Sequence, residues 1–134
     1  CDEGFAVMAH IGLKPQFMRF DGGFKVKGKD SAQSTELVET ALAMQEVGAF
    51  GILIEGVSKP CGSAITEALK IPTIGIGAGV ECDGQILVWS DAFSFRPKFV
   101  RRYCDGKAML KTAIKAYAND VKSLAFPSDG ESYS

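Results

Sequence analysis

A glycine-dense turn follows a short apolar run in the middle of this 134-residue sequence, and it constrains the fold more than any other feature. Residues 71–79 read Ile-Pro-Thr-Ile-Gly-Ile-Gly-Ala-Gly, and the next apolar run, residues 85–88, begins just after Asp83-Gly84. Glycines at the carboxyl end of a strand let backbone N–H groups approach a ligand without an intervening Cβ atom. In α/β proteins ligands bind at that end of the strands. The turn therefore predicts where a binding site lies before it indicates which ligand binds.

Short apolar runs alternate with helical patterns along the sequence. Strands and helices in this order favour an α/β fold with a parallel sheet and right-handed crossovers. The run at residues 50–54 is continuously apolar, which is typical of a parallel strand covered on both faces. The predicted strands lie at residues 5–9, 50–54, 71–77 and 85–89.

Three segments have the pattern of helices. The first begins at Asp30 or Ser31, either of which can accept an N-cap hydrogen bond, and it ends at Gly48. The second begins with Ser58 as its predicted N-cap. The third covers residues 107–124, and its apolar side chains share one face. That face comprises Leu110, Ala113, Ile114, Tyr117, Val121 and Leu124.

Composition narrows the function classes. The net charge is −1, which gives no electrostatic reason to expect binding to nucleic acid or to an anionic membrane surface. No apolar run approaches the length of a transmembrane helix. The four cysteines form no C-x-x-C pair and the chain has one histidine, so a zinc site is not expected. We interpret the cysteines as reduced thiols, which are typical of a cytoplasmic protein.

The two ends of the sequence carry their own predictions. The first residue is Cys1 rather than methionine, which indicates that coding sequence precedes it. Residues 125–134 end the chain in a mainly polar stretch that we expect to be a loose tail. No linker or internal repeat separates these ends, so we assign residues 1–134 to a single domain.

Two polar residues stand at the ends of neighbouring predicted strands. Glu55 directly follows the run 50–54, where a partly desolvated carboxylate suits a general base; pairing with a lysine or capping of the next helix is the structural alternative. His10 follows the first strand, and its alternative role is that of a hydrogen-bonded structural histidine. Because the carboxyl ends of parallel strands meet at one edge, we expect His10 and Glu55 to converge on one pocket.

The glycine turn itself allows three interpretations. A dinucleotide-binding turn needs Gly-x-Gly-x-x-Gly opening a helix. Here the third glycine comes one residue early and another apolar run follows, which disfavours that interpretation. A glycine floor beneath a small ligand and simple close packing remain as the other two.

The remaining charged candidates are interpreted as structural or surface residues. Asp83 and Asp91 flank the last predicted strand, and we interpret both as structural rather than as metal ligands. Lys25 and Lys27 lie in the long segment 13–30, and we interpret them as solvated charges rather than as anion contacts.

Several motifs occur in order along nearly the whole chain. They are His10-Ile-Gly-Leu-Lys-Pro-Gln16, Gly22-Gly-Phe-Lys-Val-Lys-Gly28, Glu55, Ile74-Gly-Ile-Gly-Ala-Gly79, Asp83-Gly-Gln-Ile-Leu-Val88, Asp91-Ala-Phe93, Phe126-Pro127 and Glu131-Ser-Tyr133. Together they resemble the ketopantoate hydroxymethyltransferase (3-methyl-2-oxobutanoate hydroxymethyltransferase) family. The order of several motifs makes this resemblance more specific than any one of them.

The resemblance implies a (β/α)8 TIM barrel of the phosphoenolpyruvate/pyruvate superfamily. Since a complete barrel needs about 250 residues, only about strands 5–8 are expected here, and residues 1–134 are expected to be the C-terminal half of one barrel domain. The family transfers a hydroxymethyl group from 5,10-methylenetetrahydrofolate to 3-methyl-2-oxobutanoate. The product is 2-dehydropantoate, on the pantothenate and coenzyme A pathway.

The resemblance also implies a site, a metal and an assembly. Glu55 matches the family's proton acceptor, His10 lines the substrate pocket, and Gly75 and Gly77 form part of its wall. Mg²⁺ is expected to chelate the keto acid and stabilise the enolate. Its ligands are expected in the N-terminal half, so no metal ligand and no folate contact is assigned here. Family members form large homo-oligomers, and a decamer is expected for the complete protein.

Two functional hypotheses follow from this sequence. In the first, the chain is the C-terminal half of such an enzyme and is nearly inactive alone, because the metal ligands are elsewhere. In the second, it is a non-catalytic, truncated half-barrel that acts as an oligomerising module. Both predict unpaired sheet edges and exposed apolar surface.

Overall fold

The structure is a computed structural model that describes residues 3–17, 19, 22–23, 25–91 and 98–131. The motif residues Phe93, Ser132 and Tyr133, and the first residue Cys1, lie outside the described residues. The chain divides into two compact units, residues 1–87 and residues 88–134. Its assignment to half of one barrel domain, with a loose tail at 125–134, stays a prediction.

The first unit is built on a parallel sheet with helices between its strands. Its elements, in chain order, are β1 (Met8–Gly12), a 3-10 turn (Pro15–Phe17), α1 (Ser31–Glu46), β2 (Gly51–Glu55), α2 (Lys59–Ala68), β3 (Thr73–Ile76) and β4 (Gly84–Gln85). The four strands lie side by side in chain order and every neighbouring pair is parallel. The predicted α/β class and parallel sheet are confirmed.

The starts of α1 and α2 differ in how they are capped. Asp30 begins α1, and its carboxylate accepts a hydrogen bond from the Gln33 backbone N–H at 2.9 Å. Ser58 occupies the N-cap position of α2, but its hydroxyl donates to the Gly28 carbonyl oxygen. The predicted N-cap position of Ser58 is confirmed, although its hydroxyl caps no backbone N–H of the helix and instead fastens the helix start to the preceding loop.

β4 is much shorter than the strand predicted at residues 85–89. It pairs with β3 through two residues, and the Ile86 N–H then donates to the Gly75 carbonyl at 3.0 Å. β3 ends at Ile76, and the next residue, Gly77, has a φ of 66°. The predicted length was wrong because β3 has only Ile76 left beyond the pair of Gly75 with Gln85 before the chain leaves the extended conformation at Gly77.

The core of the first unit lies between one face of the sheet and the two helices. Ile11, Ile52 and Ile54 are almost completely buried, and they pack in one cluster with Ala41 of α1 and with residues of α2. Cys61 and Ile65 are the α2 side chains in that cluster. Because side chains alternate along a strand, these isoleucines fix which face of the sheet carries the core.

The opposite face of the same sheet is only half-buried. It carries Met8 and His10 from β1, Leu53 and Glu55 from β2, and Ile74 and Ile76 from β3. Of these six residues, Ile76 beside Glu55 is buried and the other five keep accessible surface. The continuous apolar run of β2 predicted cover on both faces, and the structure shows full burial on the helix side alone. Ile52 and Ile54 have no exposed surface, whereas Leu53 retains some.

The second unit contains one long helix, α3 (Gly106–Lys122), followed by a 3-10 turn (Asp129–Glu131). Asp105 caps α3 by accepting from the Ala108 N–H at 3.0 Å. The apolar face of this helix is largely exposed, with Leu110 and Ile114 each 65% exposed. Within the unit, Tyr117 of that face packs edge-on against the Phe126 ring at 5.5 Å. In the ranges described above, no helix has the length and apolar character needed to cross a membrane.

A polar cluster ties the start of β3 to the loop before β4. Thr73 is fully buried, and its backbone N–H and its hydroxyl donate to the Asp83 carboxylate at 2.8 and 2.9 Å. The Asp83 N–H donates back to the Thr73 hydroxyl oxygen at 3.2 Å, and the Thr66 hydroxyl lies 3.0 Å from that oxygen. The Thr73 N–H and hydroxyl together hold the pKa of Asp83 below its ordinary value.

This cluster makes stability depend on pH. The substitution Asp83→Asn is expected to lower the free energy of unfolding at neutral pH, because it replaces the ionised acceptor of two hydrogen bonds with a neutral amide oxygen. The Asp83 pKa is lower in the folded than in the unfolded chain, so its contribution is present above the unfolded-state value of about 3.9 and is lost as the pH falls through the folded-state value. Urea unfolding should therefore show a smaller difference between wild type and variant at about pH 3 than at neutral pH.

Glu81→Gln is the matched control for this prediction, since Glu81 is an exposed carboxylate in the same loop. It is expected to leave the unfolding free energy nearly unchanged at both pH values. A loss of stability equal to that of Asp83→Asn would contradict the role given to the Thr73–Asp83 cluster.

Candidate active site at the ends of β1 and β2

The structure brings His10 and Glu55 together. His10 is the third residue of β1 and Glu55 is the last residue of β2. The register places Leu53 opposite His10 and Gly12 opposite Glu55, so the two side chains share the half-buried face of the sheet. His10 Nε2 lies 3.2 Å from Glu55 Oε2. The expected convergence of these two residues is therefore present in the structure.

The contact between these side chains is electrostatic rather than a well-formed hydrogen bond. The His10 side chain is 30% exposed and the Glu55 side chain is 19% exposed, but the Nε2 atom itself is buried. Nε2 has no hydrogen-bond partner among the described residues, because its separation from Oε2 is short but its alignment is poor. A buried polar atom without a hydrogen bond is unusual in folded proteins. This one marks the pair as a site rather than as part of the core.

The backbone holds Glu55 from both sides. Its carbonyl oxygen accepts from the Leu13 N–H at 2.7 Å, and the N–H of Gly56 donates to the Ile76 carbonyl oxygen at 2.9 Å. The carboxylate therefore projects from a peptide segment that is hydrogen-bonded to the chain after β1 and to β3. Because the backbone is held in this way, the carboxylate can move only by rotation about the bonds of the Glu55 side chain.

Gly12 makes the close approach to Glu55 possible. Its φ is 93°, and a Cβ atom there would overlap the Glu55 carbonyl oxygen. Gly12 belongs to the first of the sequence motifs, but no role was predicted for it. A glycine two residues after a polar strand residue, His10, was the available signal.

The end of the long loop runs beside the segment that follows Glu55. Lys27 pairs with Val57 in a parallel bridge, and its N–H donates to the Gly56 carbonyl oxygen at 3.0 Å. The Ser58 N–H donates to the Lys27 carbonyl oxygen at 2.9 Å. Lys27 is thus a half-buried part of the loop's backbone pairing. Lys25 is exposed, in agreement with its interpretation as a surface charge.

The glycine turn packs closely against its own surroundings. Gly75 lies opposite Ile54 in the register, on the helix-facing side, and a Cβ atom there would come within 2.9 Å of Cys82 Sγ. A Cβ atom at Gly79 would come within 2.8 Å of Lys59 Cγ at the start of α2. These contacts support the close-packing interpretation of the turn. The substrate-binding role of Gly75 and Gly77 stays a prediction.

The described residues offer no ligand set for magnesium. Among them, no three His, Cys, Asp or Glu side chains come together in a group that could hold a metal ion. Asp83 is engaged with Thr73 at the start of β3, as its structural interpretation implies. Asp91 belongs to the second unit. The residues present therefore do not fit the magnesium ion expected from the resemblance.

A groove lies beside the outer strand of the sheet. It has a volume of about 360 Å³ and is bordered by Ile11, Lys14 and Gly28 together with the side of α1 that carries Gln33 and Leu37. Ile11 belongs to the helix-facing side of β1, so this groove is separate from the His10–Glu55 pair. Among the described residues β1 pairs with β2 alone, which leaves its other edge open next to the groove.

Comparison with known proteins settles the family. The family model for ketopantoate hydroxymethyltransferase matches residues 1–129. The chain belongs to the ketopantoate hydroxymethyltransferase family. The resemblance described above is thereby confirmed, as is the expectation of a transferase family. The family has the TIM-barrel fold of the phosphoenolpyruvate/pyruvate superfamily, with which the parallel α/β sheet agrees.

Three relatives carry the name 3-methyl-2-oxobutanoate hydroxymethyltransferase. The protein of Helicobacter hepaticus is 74% identical over 137 residues, which cover 99% of this chain and 52% of that protein. A protein of Helicobacter pylori (strain Shi470) is 54% identical, with 98% of this chain and 50% of that protein covered. One of Campylobacter concisus is 51% identical, with 99% and 51% covered. The chain thus spans about half the length of the curated relatives it matches.

The glycine turn packs closely against α2 at Gly62, so we expect that a larger residue at Gly62 is not tolerated. A Cβ atom at this α2 position would overlap the Ala78 carbonyl oxygen. The substitution Gly62→Ala is expected to lower the free energy of unfolding by about 1–3 kcal/mol, although alanine favours helices intrinsically. Urea denaturation of both chains measures the difference.

Gly130→Ala serves as the control for that substitution, because the atom nearest to its added Cβ is 4.0 Å away. Its effect is expected to stay within about 0.5 kcal/mol. If Gly62→Ala proved as stable as wild type, the turn would not be held against α2 as described.

Proposed function

We propose that this chain forms part of an enzyme that transfers a hydroxymethyl group from 5,10-methylenetetrahydrofolate to 3-methyl-2-oxobutanoate, giving 2-dehydropantoate for pantothenate biosynthesis. Family membership and the names of the relatives support the reaction class. The observation that carries the assignment is the half-buried Glu55 carboxylate at the end of β2, in contact with His10 at 3.2 Å. On the family resemblance we further propose that the chain corresponds to about strands 5–8 of the barrel and works in the cytoplasm as part of a homo-oligomer.

Glu55 is proposed as the general base. The C3 proton of the keto acid lies next to a ketone, so its removal leaves an enolate, and the enolate carbon then forms a bond to the methylene carbon of the folate. The two bonds from that carbon to the folate nitrogens break, water supplies the hydroxyl oxygen, and tetrahydrofolate leaves. Glu55 accepts that C3 proton, and its position on the half-buried sheet face keeps most of the carboxylate away from bulk water. His10, Gly75 and Gly77 are proposed to border the keto acid. No step is assigned to magnesium, since the described residues supply no ligands for it.

The surface of the first unit supports the proposal that activity requires more chain than this. Met8 of the His10–Glu55 face is 41% exposed, and Leu53 and Ile74 of that face are half-buried. The edge of β1 is open among the described residues, and the groove of about 360 Å³ runs beside it. Open edges and apolar faces of this kind are covered in stable proteins. We infer that the 134-residue chain alone is nearly inactive.

A chimaera tests the proposed base in a full-length background. In it, this chain replaces the matching segment of the Helicobacter hepaticus relative, to which it is 74% identical. The substitution Glu55→Gln is expected to lower kcat on the order of 100- to 10,000-fold, because an amide cannot take the C3 proton. Keto-acid binding, measured by calorimetry, should remain, since the side chain keeps its shape.

Glu39→Gln is the matched control, because Glu39 is an exposed carboxylate of α1, and it should keep the parent rate. A near-normal rate for Glu55→Gln would remove Glu55 from the role of base. An unsubstituted chimaera that folds but does not transfer the hydroxymethyl group would contradict the proposed function. In that case, a stable inactive oligomer of this chain in sedimentation measurements would support the oligomerising half-barrel.

A further inference from the structure

We propose that His10 is a positioning residue that orients the Glu55 carboxylate, and that it is not itself a ligand of the keto acid. The proposal rests on the function proposed for Glu55 and refines the role of its neighbour. It starts from the 3.2 Å separation of His10 Nε2 and Glu55 Oε2 on one face of the sheet.

The accessibility of the imidazole favours this role over direct binding. The His10 side chain is 30% exposed, but Nε2 has almost no accessible surface. The exposed part of the ring is therefore another edge, and Nε2 is turned toward the carboxylate. A keto acid cannot reach Nε2 in this arrangement without displacing the group that already contacts it.

Backbone geometry makes the contact an effective orienting device. His10 sits inside β1, so its Cα position is fixed by the pairing with β2. Glu55 is fixed at its backbone, but its side chain has several rotatable bonds. Because Nε2 approaches Oε2, the other carboxylate oxygen is the one left to receive a proton. Holding one oxygen thus selects a carboxylate orientation.

The imperfect alignment of the pair fits a site without substrate. Nε2 forms no hydrogen bond among the described residues, although Oε2 is within reach. Hydrogen bonds between catalytic groups are often poorly aligned before the substrate binds, and they tighten in the reactive complex. A modest turn of either side chain would bring Nε2–H into line with Oε2.

Steady-state kinetics of the same chimaera separate positioning from binding. The substitution His10→Ala is expected to lower kcat about 10-fold while the KM for the keto acid stays within about twofold, because binding contacts remain and orientation of the base is lost. His10→Gln should recover most of kcat, since the glutamine amide nitrogen can take the place of Nε2. The unsubstituted chimaera and its His10→Ala and His10→Gln variants should have the same thermal unfolding temperature.

Two kinetic outcomes would overturn the proposal. A raised KM with an unchanged kcat for His10→Ala would make His10 a keto-acid ligand. Equal loss of activity in His10→Ala and His10→Gln, with an equal loss of thermal stability, would make the residue structural alone.

NMR of the chain itself tests the contact without any activity. His10 is the only histidine of the 134 residues, so its ring signals identify themselves. We expect a nuclear Overhauser effect between the imidazole and the Glu55 side chain, and a shift of the ring ¹⁵N resonances in Glu55→Gln but not in Glu39→Gln. Absence of both effects overturns the positioning role even if the chimaera is active. Their presence beside an inactive unsubstituted chimaera places the failure in the proposed function instead.

Discussion

The register between β1 and β2 puts Gly12 opposite Glu55 and Ile11 opposite Ile54, and both faces of the sheet follow from it. On one face, isoleucines of the two strands meet the helices and are almost completely buried. On the other, His10 and Glu55 come within 3.2 Å. Since side chains alternate along a strand, a slip of one residue would exchange the two faces. Burial of the core therefore holds the candidate site in place.

Glycines keep this register compatible with close packing around the site. Gly12 lets the chain leaving β1 run against the Glu55 carbonyl oxygen, and Gly62 lets α2 approach the Ala78 carbonyl oxygen. In neither place is there room for a Cβ atom. The glycine-dense turn after β3 thus serves the packing of the sheet's carboxyl end.

Much of this arrangement could be predicted from local signals. Asp30 marks the start of α1, and the apolar runs mark the strands, because capping and hydrophobic patterning act over a few residues. The length of β4 could not be predicted, because it depends on where β3 ends at Gly77. The exposure of α3 escaped prediction for a related reason. An apolar helix face indicates that another part of the structure packs against it, but it does not show which part.

The pairing of His10 with Glu55 shows why their positions in the sequence did not decide between a catalytic and a structural role for either residue. Each has an ordinary structural alternative, and only the 3.2 Å contact on a half-buried face relates one to the other. The same contact depends on its surroundings, because polar interactions are stronger where water is excluded. Met8, at 41% exposure, shows that the face around the pair still meets water. Any additional chain that covered this face would exclude that water and strengthen the contact, so cover of the face and orientation of the Glu55 carboxylate are physically coupled.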